Sequence, residues 1–174
     1  NEQISKRLNK HFFEIIIAKG FSVSSKKVFK KKQKLILIDS KKITIDKRNE
    51  IKSINNGYLE QEKNNIKISK NNIFCVSNKK ATSKEINDLI FALKVCKHVK
   101  SNAIVLVKNL RTIGIGAGQM SRLDSTKIAI MKAKENHKIT SFIAASDAFF
   151  PFNDSINILI KNKCKSIIQP RGSI

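Results

Sequence analysis

Apolar residues recur at two spacings along the chain, and these spacings predict alternating helices and strands. Residues 86, 89, 90, 93 and 96 are all apolar at helical spacing, and Thr82 and Glu85 precede them as a capping box. Short apolar runs bounded by turn-forming residues predict strands. The predicted helices cover residues 2–10, 22–32, 82–96, 122–134 and 155–162, and the predicted strands cover 12–18, 34–38, 103–107, 112–115, 139–145 and 166–169. This order predicts an α/β fold.

The pattern changes between residues 39 and 72. Three short alternating pieces (43–45, 51–54 and 66–68) are separated there by Asn55-Asn56-Gly57 and Lys63-Asn64-Asn65. Asparagine and glycine favour tight turns, so this stretch predicts hairpins or a connector between two lobes.

Residues 114–122, Gly-Ile-Gly-Ala-Gly-Gln-Met-Ser-Arg, lie between an apolar strand and a predicted helix. A strand that ends in glycines and turns into a helix leaves backbone N–H groups unpaired, and Arg122 in the first helical turn can grip a phosphate. The spacing is neither the dinucleotide-binding Gly-x-Gly-x-x-Gly motif nor a P-loop. The stretch therefore predicts an anion site or, equally, a tight turn without a ligand.

Residues 146–154, Ser-Asp-Ala-Phe-Phe-Pro-Phe-Asn-Asp, place three phenylalanines beside two carboxylates directly after a predicted strand. Ligands of α/β proteins often bind at this end of a strand, where phenylalanines could stack on a flat heteroaromatic ring and a carboxylate could accept its N–H groups. The alternative is that Phe149 and Phe150 fill the core and Asp154 caps the next helix.

The composition limits the class of partner. Thirty-five lysines and arginines against 13 aspartates and glutamates give a net charge of +22, but there is no tryptophan and one tyrosine. Direct base readout favours arginine and single-strand binding needs aromatic platforms, so a lysine-rich enzyme surface is favoured over a nucleic-acid-binding module. Cys75, Cys96 and Cys164 are far apart and predict reduced, buried thiols in a cytosolic protein, with no zinc site.

Four motifs occur in order, and together they resemble a known family. They are Ser101-Asn102-Ala103-Ile104-Val105, residues 112–122, residues 146–152 and Gln169-Pro170-x-Gly172-Ser173. The chain is similar to the C-terminal transformylase domain of the bifunctional AICAR transformylase/IMP cyclohydrolase family, strongly over residues 82–174 and more weakly over 12–38. We expect a piece of a longer protein, since the chain starts at Asn1 and stops directly after the last predicted strand.

The resemblance implies two lobes similar to the cytidine-deaminase fold, without zinc. Residues 1–46 would end the first lobe, 47–81 would form the connector, and 82–174 would form a second lobe that is incomplete at its C-terminus. The implied parent is a cytosolic homodimer that transfers a formyl group from 10-formyltetrahydrofolate to AICAR and carries IMP cyclohydrolase in a further N-terminal domain. No metal is implied, and the nucleic-acid-binding module remains the alternative.

The resemblance also assigns site residues. Asn102 would contact the AICAR carboxamide and orient the reacting amine, and Arg122 would bind AICAR. The family's catalytic Lys-His pair would lie before residue 1, so we expect the isolated chain to be inactive. Lys97-His98 shares only the spelling of that pair. The implied folate-binding residues are Leu123, Phe149, Pro151, Phe152, Asp154, Ser173 and Ile174.

Three positions depart from the family pattern. Leu110 replaces a usual turn glycine, Asn153 stands where arginine is common, and Arg171 replaces a glycine. The first predicts a strained or remodelled hairpin, and the other two affect the implied folate pocket.

Overall fold

The computed structural model describes residues 1–44, 49–136 and 138–172, and the chain divides into two compact units, Asn1–Asn65 and Ile66–Ile174. The first unit contains two short helices, a pair of parallel strands and an antiparallel hairpin. Its elements are α1 (Glu2–Leu8), β1 (Ile15–Ala18), α2 (Val23–Phe29), β2 (Ile36–Asp39), a 3₁₀ helix (Ser40–Lys42), β3 (Glu50–Ile54) and β4 (Gly57–Gln61).

The second unit contains a four-stranded sheet covered by helices. Its elements are a 3₁₀ helix (Lys70–Asn72), α3 (Ser83–Cys96), β5 (Ile104–Lys108), β6 (Arg111–Gly116), α4 (Arg122–Asn136), β7 (Phe142–Ser146), α5 (Asn153–Lys161) and β8 (Cys164–Ile168). The strand order is β6-β5-β7-β8. Strand β5 is antiparallel to both neighbours, whereas β7 and β8 are parallel.

Successive side chains of the central strands point to opposite faces of the sheet, so the core of this unit has two layers. Val105 and Val107 of β5 pack with α3 on one face, and Ile104 and Leu106 pack with α4 on the other face. All four side chains are fully buried. A sheet covered on both faces explains why β5 and β7 are apolar at nearly every position.

The α/β class, the hairpin around Asn55-Asn56 and the capping box are confirmed. Thr82 N–H donates to Glu85 Oε2 at 2.8 Å, and Glu85 N–H donates to Thr82 Oγ1 at 3.3 Å. The alternating piece at 66–68 is not part of a hairpin, because that segment has no regular secondary structure. Position 45 of the piece predicted over 43–45 lies outside the described residues. The domain boundaries at 46 and 81 remain predictions.

Several element ends differ from the prediction. Helix α2 ends at Phe29 rather than at 32, strand β7 begins at Phe142 rather than at 139, and strand β6 extends to Gly116. The last of these differences changes the interpretation of the glycine motif, as described below.

Candidate functional site

The strand register brings three of the four sequence motifs to one edge of the sheet. Ile104, the first residue of β5, pairs with Gly116 at the end of β6 and with Ser146 at the end of β7. The segment before β5, the turn after β6 and the loop after β7 therefore meet at this edge. Asn102, Arg122 and Asp147 belong to these three segments.

Two glycines of the 114–122 motif serve packing and do not form an anion-binding turn. Gly114 and Gly116 lie inside β6 and are buried against α4. A Cβ atom would lie 2.1 Å from the Ala129 carbonyl oxygen at Gly114 and 1.9 Å from the Ser125 carbonyl oxygen at Gly116. Strand β6 does end within this motif, as the sequence predicts, but Gly114 and Gly116 lie within the β5–β6 pairing rather than in an open turn.

Two backbone N–H groups between β6 and the first turn of α4, those of Gly118 and Asp124, are bonded within the protein. Gly118 has a φ of +66°, and its N–H donates to the Lys100 carbonyl at 2.8 Å. At the start of α4, the Ser121 hydroxyl accepts the Asp124 N–H at 3.0 Å and donates to the Asp124 carboxylate at 2.7 Å. The helix N-terminus is thus capped by its own serine.

Arg122 makes contacts within the protein that the sequence did not reveal. Its Nε donates to Ser146 Oγ at 2.9 Å, and its NH2 nitrogen donates to Asp147 Oδ1 at 3.0 Å. The two charged side chains are only 13% and 14% exposed. Two of the five guanidinium N–H donors of Arg122 therefore bond groups at the end of β7.

Asp147 accepts hydrogen bonds from the start of α4 and from the segment before β5. Its Oδ1 also accepts the Ala103 N–H at 3.1 Å, and its Oδ2 accepts the Ser101 hydroxyl. Burial by itself raises the pKa of the Asp147 carboxyl, but the hydrogen bonds from Ser101, Ala103 and Arg122 outweigh burial and hold the pKa below its usual range. The carboxylate is therefore ionised at neutral pH.

Asn102 is fixed by the turn that precedes α4. Its Nδ2 donates to the carbonyls of Gln119 at 2.9 Å and Met120 at 3.2 Å, and its own carbonyl accepts the Ser125 hydroxyl at 2.7 Å. Since carbonyl oxygens only accept, the amide orientation is determined and Oδ1 is the remaining polar atom. Within the described part of the chain, no group donates to this oxygen.

Cys96 of α3 lies beneath this edge. Its Sγ lies 3.7 Å from the Ala103 carbonyl oxygen and 3.9 Å from the Ala145 carbonyl oxygen. Burial raises the pKa of the Cys96 thiol to about 12, with a further contribution from the Asp147 charge. The thiol is protonated and contributes to packing below the site.

The three phenylalanines of the 146–154 loop have different surroundings. Phe150 packs against the core, and its N–H donates to Gln169 Oε1 at 3.0 Å. Phe149 is half-buried with its ring beside Gly172, where a Cβ atom would lie 3.5 Å from the ring. Phe152 is 72% exposed. The core interpretation of Phe149 and Phe150 therefore holds for Phe150, whereas Phe149 is only half-buried.

The other predicted folate-pocket residues occupy surface or half-buried positions. Pro151 and Asp154 are exposed, and Leu123 is half-buried in the first turn of α4. Asp154 is not the helix cap, because α5 begins at Asn153 and its N-cap is Phe152. The Asp154 Oδ1 accepts the Ser155 N–H at 2.6 Å. Ser173 and Ile174 lie outside the described residues.

The positions that depart from the family pattern have distinct structural settings. Leu110 has a φ of +54°, and its N–H donates to the buried Asp88 carboxylate at 2.7 Å. Arg171 lies over the Phe74 ring at 5.2 Å, a cation–π distance, and Asn153 is the exposed first residue of α5. The strained turn expected at Leu110 is confirmed.

The described part of the chain contains neither a metal-binding cluster nor a membrane-spanning helix. Across residues 1–44, 49–136 and 138–172, no group of three or more His, Cys, Asp or Glu side chains could hold a metal ion. No helix in that part of the chain is both long enough and apolar enough to span a membrane.

Sequence reasoning missed the polar residues that connect the motifs. These residues are Ser101, Ser146 and Asp147. The family resemblance assigns a role to Asp154 but none to Asp147, the other carboxylate of the loop. The available signal was a carboxylate immediately after an apolar strand, but its partner Arg122 lies 25 residues away in sequence.

Comparisons with known proteins agree with the resemblance. The model of a family described as AICARFT/IMPCHase bienzyme matches residues 1–132. The chain is 47% identical over 174 residues to the bifunctional purine biosynthesis protein PurH of Fusobacterium nucleatum, covering all of this chain and 34% of the relative. It is 46% identical over 172 residues to PurH of Buchnera aphidicola, covering 97% of the chain and 32% of that relative.

A third relative is less similar in sequence than the first two. PurH of Aquifex aeolicus is 39% identical over 173 residues, covering 99% of the chain and 33% of the relative. The chain thus spans about a third of the length of these relatives. Both the family match and the identities extend over most of its residues, and the chain belongs to the AICARFT/IMPCHase bienzyme family.

Proposed function

We propose that this chain is part of an AICAR formyltransferase of purine biosynthesis, which transfers the formyl group of 10-formyltetrahydrofolate to AICAR. The observation that carries the proposal is the convergence of Asn102 and Arg122 in one hydrogen-bond network at one sheet edge. Both residues belong to motifs by which the sequence resembles the transformylase domain. Family membership and the PurH relatives support the same assignment.

In the proposed reaction, the AICAR amine attacks the formyl carbon. A carbon–nitrogen bond forms to the amine, the bond to folate N10 breaks, the amine loses a proton and N10 gains one. The amine is a weak nucleophile because its lone pair is conjugated with the imidazole ring, so a general base is needed. The family's Lys-His pair would supply it from outside residues 1–174, and Lys97-His98 at the end of α3 has no assigned role.

Asn102 would act through its carboxamide oxygen. Both of its N–H groups donate to backbone carbonyls, so the side chain can only accept a hydrogen bond from a ligand. This geometry suits an N–H of the AICAR carboxamide. Holding the carboxamide in this way would orient the neighbouring amine toward the formyl donor.

Arg122 would donate to AICAR from its NH1 nitrogen. Its Nε and NH2 atoms already bond Ser146 and Asp147, and among the described residues none accepts from NH1. A guanidinium has no acceptor, so its contact with the nucleotide must be to an oxygen or an unprotonated nitrogen.

The folate would lie against the loop after β7. Phe149 and Phe152 offer apolar ring faces, and Pro151 and Leu123 would extend this surface. Asp154 has one oxygen bonded to the Ser155 N–H, which leaves the other oxygen for the pterin edge. Ser173 and Ile174 complete the proposed folate-binding set, and no metal is required.

The wider features of the proposal follow from the family resemblance. Residues 1–46 and 82–174 would belong to two cytidine-deaminase-like lobes joined by a connector over 47–81. The parent protein would be a cytosolic homodimer with a separate IMP cyclohydrolase domain. Since the chain lacks the proposed base, we expect binding without turnover.

Calorimetric titration of the chain with AICAR, with and without a 10-formyl folate analogue, tests the proposal. We expect saturable AICAR binding that Arg122→Ala weakens by about 10- to 100-fold, since hydrogen bonds to charged groups contribute about 1.5–3 kcal/mol. The matched control is Arg111→Ala, because Arg111 is exposed at the opposite end of β6. This control should leave the affinity unchanged.

A folded chain that binds no AICAR would overturn the proposal that these residues suffice for nucleotide binding. The comparisons give no support to the alternative of a nucleic-acid-binding module. Tight binding of random oligonucleotides that falls steeply between about 50 and 200 mM salt would restore that alternative.

A further inference from the structure

We propose that Asp147 is a positioning residue, which fixes the two proposed nucleotide-binding side chains, Asn102 and Arg122, relative to each other. The inference rests on the proposed function. Asp147 would not touch the nucleotide itself. It would act by holding Arg122 on one side and both sequence neighbours of Asn102 on the other.

Both oxygens of the Asp147 carboxylate accept hydrogen bonds. Oδ1 accepts from Arg122 at 3.0 Å and from the Ala103 N–H at 3.1 Å, while Oδ2 accepts the Ser101 hydroxyl. The Asp147 N–H also donates to the Ala103 carbonyl at 3.3 Å. Asn102 is therefore held between two residues that are each bonded to the same carboxylate.

The donors around Asp147 require a carboxylate rather than an amide. A hydroxyl, a backbone N–H and a guanidinium N–H all point at the two oxygens of Asp147. An asparagine would supply one oxygen and one NH₂ group, so a donor would face a donor at one or more of these bonds. An amide of the same size therefore cannot replace the acid.

The ion pair of Arg122 and Asp147 is largely shielded from water. Arg122 and Asp147 are 13% and 14% exposed, so water replaces lost bonds poorly and removal of one charge leaves the other partly buried. Ser146 is fully buried and orients the guanidinium through Nε at 2.9 Å. The guanidinium plane is consequently set by β7 rather than by a ligand.

A second set of hydrogen bonds connects Asn102 with the segment that carries Arg122. Asn102 bonds the Gln119 and Met120 carbonyls and accepts from Ser125, all in the segment that carries Arg122. The two nucleotide-binding side chains are thus connected through the α4 turn and, independently, through Asp147. Loss of Asp147 would leave Asn102 held by the α4 turn, but it would leave the Arg122 guanidinium with its Nε bond to Ser146 alone.

The test combines a spectroscopic readout with a binding readout on the full 174-residue chain. The Nε–H resonance of Arg122 reports its orientation, and calorimetry reports the AICAR dissociation constant. We expect Asp147→Asn to shift or abolish that resonance and to weaken AICAR binding at least 10-fold. Glu135→Gln makes the same acid-to-amide change at the exposed far end of α4 and should alter neither readout.

A double-mutant cycle separates positioning from general destabilisation. If Asp147 acts through Arg122, Asp147→Asn added to Arg122→Ala should change the dissociation constant by less than about 2-fold. Additive effects, or an unchanged Arg122 resonance in Asp147→Asn, would overturn the proposal. AICAR that leaves every resonance of the wild-type chain unmoved would instead overturn the proposed function.

Thermal melting monitored by circular dichroism verifies that each variant is folded. If Asp147→Asn does not fold, Ser101→Ala replaces it, because Ser101 is exposed and the change removes only its hydroxyl bond to Asp147. We expect Ser101→Ala to weaken AICAR binding about 3-fold. Unchanged affinity in that variant would count against the positioning role.

Discussion

At the residue scale, the three thiols differ in burial, and the prediction that they are buried is wrong for Cys75. Cys75 is exposed, and a hydrogen bond from the Ser77 hydroxyl lowers its pKa, whereas burial raises the pKa values of Cys96 and Cys164 to about 12. Since the thiolate is the reactive form, we predict that a disulfide reagent at pH 8 labels one thiol rapidly in the folded chain and three after unfolding. Rapid labelling of two or more thiols before unfolding would contradict this assignment.

The turn between β5 and β6 contains strain that a single substitution should relieve. Leu110 is 56% exposed and has a φ of +54°, a region that costs a non-glycine residue about 1–2 kcal/mol. We predict that Leu110→Gly raises the free energy of unfolding by about 1 kcal/mol in urea denaturation. Leu110→Ala is the control, because alanine keeps the strain, and it should change stability little. Destabilisation by the glycine would show that the leucine side chain makes a compensating contact.

At the element scale, the close approach of β6 and α4 depends on two glycines. A Cβ atom at Gly116 would lie 1.9 Å from the Ser125 carbonyl oxygen, a backbone atom that cannot move aside. We predict that Gly116→Ala lowers the free energy of unfolding by more than about 2 kcal/mol. The matched control is Gly57→Ala in the exposed hairpin, where nothing lies within 4 Å of an added Cβ, and it should be nearly neutral. Equal melting temperatures for the two variants would be the contrary result.

The elements show which parts of the fold could be predicted from the sequence. The start of α3 was predictable because Thr82 and Glu85 bond each other across three residues, so the signal is local. The role of Gly114 and Gly116 was not, since it depends on a helix that packs over them from later in the chain. The same local pattern, a strand running into glycines, fits both an anion-binding turn and a packing contact.

At the scale of the whole molecule, the candidate site could be predicted only in part. The motifs identified Asn102 and Arg122, but their common network passes through Asp147, which is 25 residues from Arg122 and 44 from Ala103. No periodicity reports such a contact, because it arises from β5 lying between β6 and β7. A sequence therefore reveals residue types suited to a ligand more readily than the residues that orient them.

The central strands of the sheet and the β3–β4 hairpin differ in burial, so we expect them to differ in local stability. Strands β5 and β7 lie in the centre of the sheet with buried side chains on both faces, whereas every residue of the β3–β4 hairpin is exposed. Central amides exchange only when much of the unit opens, while hairpin amides exchange through local opening.

We expect amide hydrogens in peptides from Ile104–Lys108 and Phe142–Ser146 to exchange at least about 1,000-fold more slowly than those from Glu50–Ile54 and Gly57–Gln61, a difference of about 4 kcal/mol in opening free energy. Hydrogen exchange followed by mass spectrometry measures both regions in one sample. The exchange rates of the unfolded chain provide the reference for each peptide. Comparable protection of the hairpin would mean that another surface covers it in solution, and dilution of the sample would then show whether that surface belongs to a second copy of the chain.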